Sequence, residues 1–222
     1  MITLHHLENS QSFRIIWLLE ELNVPYELKV YARDKKTMLA PEEYKALHPA
    51  GTAPIITDGD IALAETNAIV DYILDKYSEE GQRLRPAKDN ENRVPYLYWF
   101  HAGQGSLMPM LLMVFIFNSM TEKTPFLIRP LIRRVTQTAA TFFPMPRIKK
   151  LLGYMNDQLE ENQFLAGDEL TAADIVTSFE LLTINRLKLF NFQRDFPNIA
   201  DYVERVEAIA SYKKALAKSE AL

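Results

Sequence analysis

A change in hydrophobic periodicity near Asp89 constrains the fold of this chain more than any other feature. Before Asp89, segments with the two-residue period of strands alternate with segments that have the spacing of helices. After it no strand pattern remains, and helical patterns cover residues 92–119, 124–141, 147–162, 172–187 and 199–217. We therefore expect a mixed α/β domain over residues 1–80 and an all-α domain over residues 89–222, joined by a charged linker over residues 81–88.

The first domain is predicted to hold a four-stranded mixed sheet with helices packed on it. Strand patterns occupy residues 2–5, 26–31, 53–57 and 61–63. Helix patterns occupy residues 12–22, 41–47 and 66–77. Alternating strands and helices followed by an antiparallel hairpin are typical of this architecture.

Side-chain spacing predicts which faces of these elements are buried. The first helix should bury one face, which carries Ile15, Leu18, Leu19 and Leu22. The second strand should bury Tyr26, Leu28 and Val30. The helix over residues 66–77 should bury Ile69, Tyr72, Ile73 and Tyr77.

Composition excludes several kinds of site. The chain has no cysteine, so disulfides, zinc–thiolate centres and a protein thiol nucleophile are absent, and we predict no metal site. A disulfide-free chain without a signal-peptide pattern at its start is expected in the reducing cytoplasm. The net charge of −4 gives no reason to expect nucleic acid as a partner. The longest apolar run, residues 107–117, is too short for a membrane span, which needs roughly 20 residues.

Two short motifs have the chemistry of a peptide-binding site. Glu65-Thr66 stands at a predicted helix start, where free N–H groups bind a carboxylate and Glu65 can hold an ammonium group. Pro54 follows Ala53 at a strand start, where a cis bond would present backbone groups to a bound peptide. Taken singly, each motif is better explained structurally, Thr66 as a helix cap and Pro54 as an ordinary trans proline at a sheet edge.

The loop over residues 8–12 is a candidate anion site at the start of the first helix. Its side chains Asn9, Ser10 and Ser12 can donate a hydrogen bond to an anion. If that anion were a thiolate, its pKa would fall from about 8.5. The alternative, that Ser10 or Ser12 simply caps the helix, has equal weight from the loop alone.

The order of these motifs resembles the glutathione transferase family over nearly the whole chain, and most closely its bacterial and fungal serine-type enzymes. Residues 10–26 are similar to the first loop, helix and second strand of the family. The proline loop, the acidic–hydroxyl helix start, the folding box and the opening of the late helix are matched by residues 49–54, 64–72, 164–175 and 196–199.

The resemblance implies a thioredoxin-like first domain and assigns roles to single residues. Ser10 would hydrogen-bond the glutathione sulfur, with Asn9 and Ser12 as its nearest rivals. The backbone of Ala53, between Thr52 and Pro54, would pair with the cysteinyl part of glutathione. Glu65 and Thr66 would bind the γ-glutamyl group. Thr171 and Asp174 match a structural capping box.

One departure concerns the glycine end of glutathione. The family often has lysine at the position of Thr52, so a cation for the glycine carboxylate is missing there. Lys35 or Lys36 can supply one, and the spacing leaves the choice open.

By resemblance, the second substrate lies between the domains against the first long helix of the second domain. Small residues on that helix leave space, and methionine offers adaptable apolar surface. The expected electrophile pocket consists of Tyr98, His101, Ala102, Gly105, Ser106 and Met108. Core packing is the alternative for most methionines, and a structural role is the alternative for His101.

Three functions are compatible with this reading. The first is conjugation of glutathione, as co-substrate and without a further cofactor, to a small hydrophobic electrophile. The second is a glutathione-dependent peroxidase or isomerase that shares the site. The third is a non-enzymatic binding module with weakened glutathione affinity, which Thr52 motivates. The resemblance also implies a homodimer.

Overall fold

A four-stranded mixed sheet organises the first domain in the computed structural model, which describes residues 1–220. Its strands are β1 (Ile2–Leu7), β2 (Tyr26–Tyr31), β3 (Ile55–Asp58) and β4 (Ile61–Ala64). The strand order is β2-β1-β3-β4. β1 runs parallel to β2 and antiparallel to β3, and β3 forms a hairpin with β4. The predicted mixed sheet is confirmed.

Helix α1 (Phe13–Leu22) is buried on nearly every side, whereas the spacing predicts one buried face. Ile16 and Trp17 are as inaccessible as Ile15 and Leu18 because α1 is covered on its outer side by helices of the second domain. The helix ends at Asn23, which adopts the left-handed conformation expected of a C-terminal cap.

The buried residues of β2 and of the third helix differ in part from the prediction. In β2, Tyr26 and Leu28 pack on the core, but Val30 is exposed because β2 is the edge strand of the sheet. In α3 (Thr66–Lys76), the buried residues are Thr66, Ile69, Val70, Ile73 and Leu74. Tyr72 and Tyr77 are only partly buried, and Tyr72 turns its hydroxyl to Asp58.

The first domain contains one further short helix, and a helical connection leads to the second domain. α2 spans Glu42–Lys45, and Pro41 stands at its N-terminal cap position. α4 (Ser78–Gly81) and a 3₁₀ turn (Gln82–Leu84) follow α3. The predicted linker is packed rather than free, since Leu84 is fully buried and Arg85 bonds to Asp71 and Asp75.

The second domain consists of helices, as predicted, and its only extended pairing among residues 89–220 is an isolated bridge between Phe164 and Gly167. Its helices are α5 (Arg93–Ala102), α6 (Met108–Lys123), α7 (Arg129–Phe142), α8 (Pro144–Glu161), α9 (Ala172–Arg186), α10 (Phe192–Asp195), α11 (Pro197–Ala208) and α12 (Ala210–Ser219). The segment 199–217, predicted as one helix, is divided at Ile209, whose backbone is extended.

A π-helical turn (Gly103–Leu107) joins α5 and α6 into one continuous helical run, Arg93–Lys123. By length and composition alone, this run of 31 residues could cross a membrane, with a mean hydropathy of 1.4 in its most apolar window. It packs against α7, α8 and α9, and 33% of that window is buried. The absence of a membrane span therefore stays a prediction.

The predicted capping box at the start of α9 is confirmed. Asp174 accepts hydrogen bonds from the Thr171 N–H at 2.8 Å and the Thr171 hydroxyl at 2.9 Å. Its other oxygen accepts from the Leu165 N–H and the Tyr202 hydroxyl. Burial raises the pKa of Asp174, and these donors oppose that shift. The carboxylate thus ties α9 to α11 and to the turn before it.

Candidate active site

The sheet register brings three separate sequence motifs to one edge of the first domain. β1 pairs antiparallel with β3 through His5 and Ile55, and β3 pairs antiparallel with β4 through Ile55 and Ala64. The end of β1, the start of β3 and the end of β4 therefore lie side by side. The loops that follow or precede them carry Ser10, Pro54 and Glu65.

Ser10 is the first member of a buried chain of hydrogen bonds. Its Oγ lies 2.6 Å from Ser12 Oγ and accepts from the Ser12 backbone N–H at 3.3 Å. Ser12 Oγ in turn lies 2.7 Å from Nδ1 of His6. All three side chains are buried, and burial lowers the pKa of His6. His6 belongs to β1 and was not among the predicted site residues.

Ser12 occupies the N-terminal cap position of α1, yet its side chain makes no capping hydrogen bond. The hydroxyl is used in the chain to Ser10 and His6 instead. Asn9 is exposed in the left-handed conformation, at a φ of 50°, and donates to Glu8. The rival candidates therefore differ in exposure: Ser12 is buried and bonded to Ser10, whereas Asn9 is exposed.

The start of α3 differs in detail from the prediction. Glu65, not Thr66, occupies the cap position, and its side chain is exposed on a backbone with a φ of 74°. Thr66 is the first helical residue, is almost fully buried, and donates a long 3.4 Å hydrogen bond to Gln11. Thr66 was expected to cap the helix; the turn after β4 moves the cap one residue earlier.

Gln11 connects the start of α3 to the second domain. It was not among the predicted site residues. The same Oε1 that accepts from Thr66 accepts from Gln104 Nε2 at 2.8 Å. Gln104 belongs to the π-helical turn. The only signal in the sequence is the place of Gln11 between Ser10 and Ser12.

The proline loop, which precedes β3, is the third of the three loops at this edge of the sheet. We refer to the place where the three loops meet as the corner. The Ala53-Pro54 peptide bond is cis, Pro54 is buried, and Thr52 is exposed. Lys45, in α2, packs against Gly51, with its Cβ 3.5 Å from the place that a Gly51 Cβ would occupy. Lys45 is a cation near Gly51 that was not among the sequence candidates Lys35 and Lys36, and its ammonium group donates to Glu42 at 2.7 Å.

A cleft of about 380 Å³ opens next to Ser10, between the two domains. The first domain contributes Asn9, Ser10 and Phe13, together with His6. α9 contributes both apolar and polar side chains: Phe179, Leu182, Thr183, Asn185 and Arg186. α12 and the residue after it complete the wall with Leu216, Ser219 and Glu220.

The six residues predicted to form the electrophile pocket do not come together beside Ser10. Tyr98, Gly105 and Ser106 line a different depression, shared with α8. His101 lines a third one, and Ala102 is buried. Of the small residues in this helical run, Gly103 is packed closely, since a Cβ on it would lie 3.0 Å from Thr177 Oγ1, whereas a Cβ on Gly105 would meet open space. Met108 is partly buried and lines none of these three cavities.

A buried ion pair lies behind the wall of the cleft. Arg14 of α1 donates to Glu180 of α9 at 2.9 Å, and both side chains are inaccessible to solvent. The guanidinium also lies 5.0 Å from the ring centre of Phe179, which lines the cleft. Burial raises the pKa of Glu180 to about 7, although the charge of Arg14 opposes this shift.

Comparisons with known proteins agree with this architecture. The family models for the N-terminal and C-terminal domains of glutathione S-transferases match residues 10–76 and 109–210. Glutathione S-transferase 3 of Schizosaccharomyces pombe is 32% identical over 221 residues, 99% of this chain and 88% of that protein. Glutathione S-transferase 1 of Saccharomyces cerevisiae is 30% identical, over 100% and 97% of the two chains.

A solved structure gives the same result. The glutathione S-transferase of Actinobacillus pleuropneumoniae has a TM-score of 0.81 and 36% identity to this chain, over 99% of this chain and 93% of that one. The chain therefore belongs to the glutathione S-transferase family of enzymes.

Proposed function

We propose that the protein binds glutathione at the sheet edge and conjugates it to a hydrophobic electrophile held in the cleft, as a serine-type enzyme. One observation carries this proposal: Ser10 lies where the corner formed by the three loops meets the cleft between the domains. A thiol bound at the corner would point to Ser10, and a second substrate in the cleft would face the same hydroxyl.

The corner has the chemistry that a γ-glutamyl group requires. The first turn of α3 offers free N–H groups to the carboxylate, and the exposed Glu65 carboxylate offers an acceptor to the ammonium group. The backbone of Ala53 would pair with the cysteinyl unit. Lys45 beside Gly51 is a candidate for the glycine carboxylate.

Ser10 would favour the thiolate over the thiol. A hydrogen bond to the charged form lowers the pKa of a group, and each unit corresponds to about 1.4 kcal/mol. More thiolate at neutral pH, held close to the electrophile, would raise the rate of attack.

The cleft supports an apolar second substrate. Phe13, Phe179 and Leu182 supply apolar surface, and Arg186 and Asn185 supply a polar end. This assignment replaces the pocket around Tyr98, which includes no residue of the first domain.

A direct assay tests the proposal. Conjugation of glutathione to an aromatic halide would be followed by absorbance, and glutathione binding by titration calorimetry. Turnover with both substrates is expected. No turnover together with no glutathione binding would contradict the enzymatic reading, and reduction of an organic peroxide without conjugation would favour the peroxidase alternative.

Replacing Glu65 with glutamine is expected to weaken glutathione binding about tenfold, because a neutral amide loses the charge attraction to the ammonium group. Calorimetric titration measures this change. The matched control is Asp60→Asn, an exposed acidic residue in the turn between β3 and β4. Equal affinities for the Glu65→Gln and wild-type proteins would remove Glu65 from the site.

A homodimer is the expected assembly, and we propose that helices α6 and α7 take part in its interface. Exposed apolar side chains line both helices: Leu112, Phe115, Ile116, Met120, Leu131 and Val135. Apolar surface of this extent marks protein interaction sites. Sedimentation should show a dimer that Leu131→Asp weakens and Val30→Asp, on the β2 edge, does not. A monomeric wild-type protein would refute the proposal.

A further inference from the structure

One face of α9 lines the cleft beside Ser10 and changes from apolar to cationic along its length. The lining includes Phe179, Leu182, Thr183 and Arg186, whose spacing of i, i+3, i+4 and i+7 places them on one side of the helix. The step from i to i+7 corresponds to about 10 Å along the helix axis. The cleft therefore has an apolar part and a cationic part about two helical turns apart.

The apolar part adjoins the proposed reacting group. The ring centre of Phe179 lies 5.0 Å from the guanidinium carbon of Arg14, which directly follows Phe13 at the start of α1. Phe13 and Ser10 line the same cleft. Arg186 stands in the last turn of α9 with its side chain exposed, two turns beyond Phe179. Because long helical side chains lean toward the preceding turn, its guanidinium can reach back toward the apolar part.

Most hydroxyl groups in the lining are already used within the protein. The Thr183 hydroxyl donates to a carbonyl one turn earlier in α9 at 2.7 Å, and the Ser219 hydroxyl donates to a carbonyl of α12 at 2.9 Å. Within residues 1–220, the side chains of Asn185 and Arg186 line the cleft without a hydrogen-bond or ion-pair partner. Both side chains carry N–H donors, so the end of α9 offers donors to a ligand.

The acidic side chain of the lining, Glu220, adjoins the opposite end of the cleft. It follows Ser219, whose backbone is a hydrogen-bond partner of His6, and His6 belongs to the chain of hydrogen bonds that ends at Ser10. A glutathione thiolate at Ser10 would add a second negative charge there. An anionic group on the electrophile would therefore be repelled from this end and attracted to Arg186, which turns the reactive carbon toward the sulfur.

We propose that the second substrate is an amphipathic acid: an electrophile whose apolar body lies between Phe13 and Phe179 and whose carboxylate is bound by Arg186, with Asn185 as a second donor. The inference rests on the proposed conjugation. In that step the thiolate sulfur forms a bond to the electrophilic carbon, and the leaving group departs with the electron pair of the broken bond. The carboxylate is unchanged, so Arg186 is a specificity-determining residue and takes no part in the chemistry.

A pair of aromatic halides that differ in charge tests this inference. The compounds are 4-chloro-3,5-dinitrobenzoate, which is an anion, and 4-chloro-3,5-dinitrobenzamide, which is neutral and of similar size. Each kcat/KM is divided by the rate constant of the same compound with glutathione alone, which removes the difference in intrinsic reactivity. The wild-type protein is expected to prefer the carboxylate about fivefold, as for a favourable exposed ion pair. High salt should reduce this preference.

Variants at the end of α9 assign the preference to one side chain. Arg186→Met should abolish it mainly through a higher KM for the carboxylate, with kcat/KM for the carboxamide changed by less than about twofold. Arg186→Lys retains the charge and should keep part of the preference. Lys188→Met is the control, because Lys188 is an exposed cation just beyond α9 that is not part of the cleft lining. A role of Arg186 in stabilising the helix end would change both substrates equally.

The failures of the two proposals are distinguishable. Conjugation of both compounds without a preference, or with a preference that Arg186→Met leaves unchanged, would refute the role of Arg186 and leave the proposed function intact. A wild-type preference for the carboxamide that Glu220→Gln removes would show that Glu220 sets the charge selectivity, which also overturns the inference. If neither compound is conjugated, the proposed function fails, and the inference fails with it.

Discussion

Replacing Arg14 with methionine is expected to lower the free energy of unfolding by about 3–5 kcal/mol, because it leaves the Glu180 carboxylate buried without its counter-charge. For a chain of this length, such a loss lowers the melting temperature by about 10 °C. Chemical denaturation and calorimetry would measure both quantities. Arg83→Met is the control, since Arg83 is half exposed in its pair with Glu21, so solvent screens its charge and the loss of stability should be smaller than for Arg14→Met.

The loss in free energy of unfolding caused by Arg14→Met should depend on pH. Without Arg14, only a backbone hydrogen bond opposes the effect of burial on Glu180, so its folded-state pKa rises further above the unfolded value of 4.5. A raised pKa means that the neutral carboxyl is tolerated in the folded state. Both proteins share the unfolded pKa, so the loss of stability is constant below the wild-type folded pKa of about 7, grows as pH rises above it, and levels off above the higher folded pKa of the variant.

A double variant tests whether the charges of Arg14 and Glu180 interact. Removing both charges in Arg14→Met/Glu180→Leu should restore much of the lost stability, because apolar groups of similar volume replace a buried ion pair at little net cost. If the two single losses simply add in the double variant, the charges do not interact as the structure indicates.

Replacing Ser10 with alanine is expected to lower kcat/KM for conjugation by about 10- to 100-fold, the effect of one hydrogen bond to a charged group. The reason is a rise in the pKa of the bound thiol, so the loss should shrink at alkaline pH, where the thiol ionises without help. Steady-state kinetics across pH would measure it.

Two variants calibrate that experiment. Ser78→Ala, an exposed serine at the start of α4, should retain full activity. Asn9→Ala should lose less activity than Ser10→Ala, because Asn9 lines the same cleft but is exposed and bonds to Glu8. Loss of activity in Asn9→Ala, with none in Ser10→Ala, would transfer the role to Asn9.

Local sequence pattern was sufficient to predict most of the secondary-structure elements. The division near Asp89, the mixed sheet and the capping box of Thr171 and Asp174 follow from periodicity and from neighbours a few residues apart. The chemistry of helix starts marked Ser10 and Glu65 as candidates, and the resemblance to the family assigned the roles that are proposed for them.

Long-range packing produced the differences. Trp17 is buried because α9 and α12 cover the outer face of α1, and no pattern within α1 reports what lies across it. Tyr98 and His101, predicted to share one pocket, line two different depressions, and Tyr98 shares its own with Tyr154 and other residues of α8.

The corner formed by the three loops depends both on local sequence and on long-range packing. The sequence by itself determined which loops carry a hydroxyl, a proline and an acidic helix start, since each depends on adjacent residues. Only the tertiary structure decided that these loops meet and that Gln11 ties them to Gln104. It likewise decided that His6 lies behind Ser10 and that α9 walls the cleft. Sheet register and domain packing join residues distant in the chain, and no local pattern contains that information.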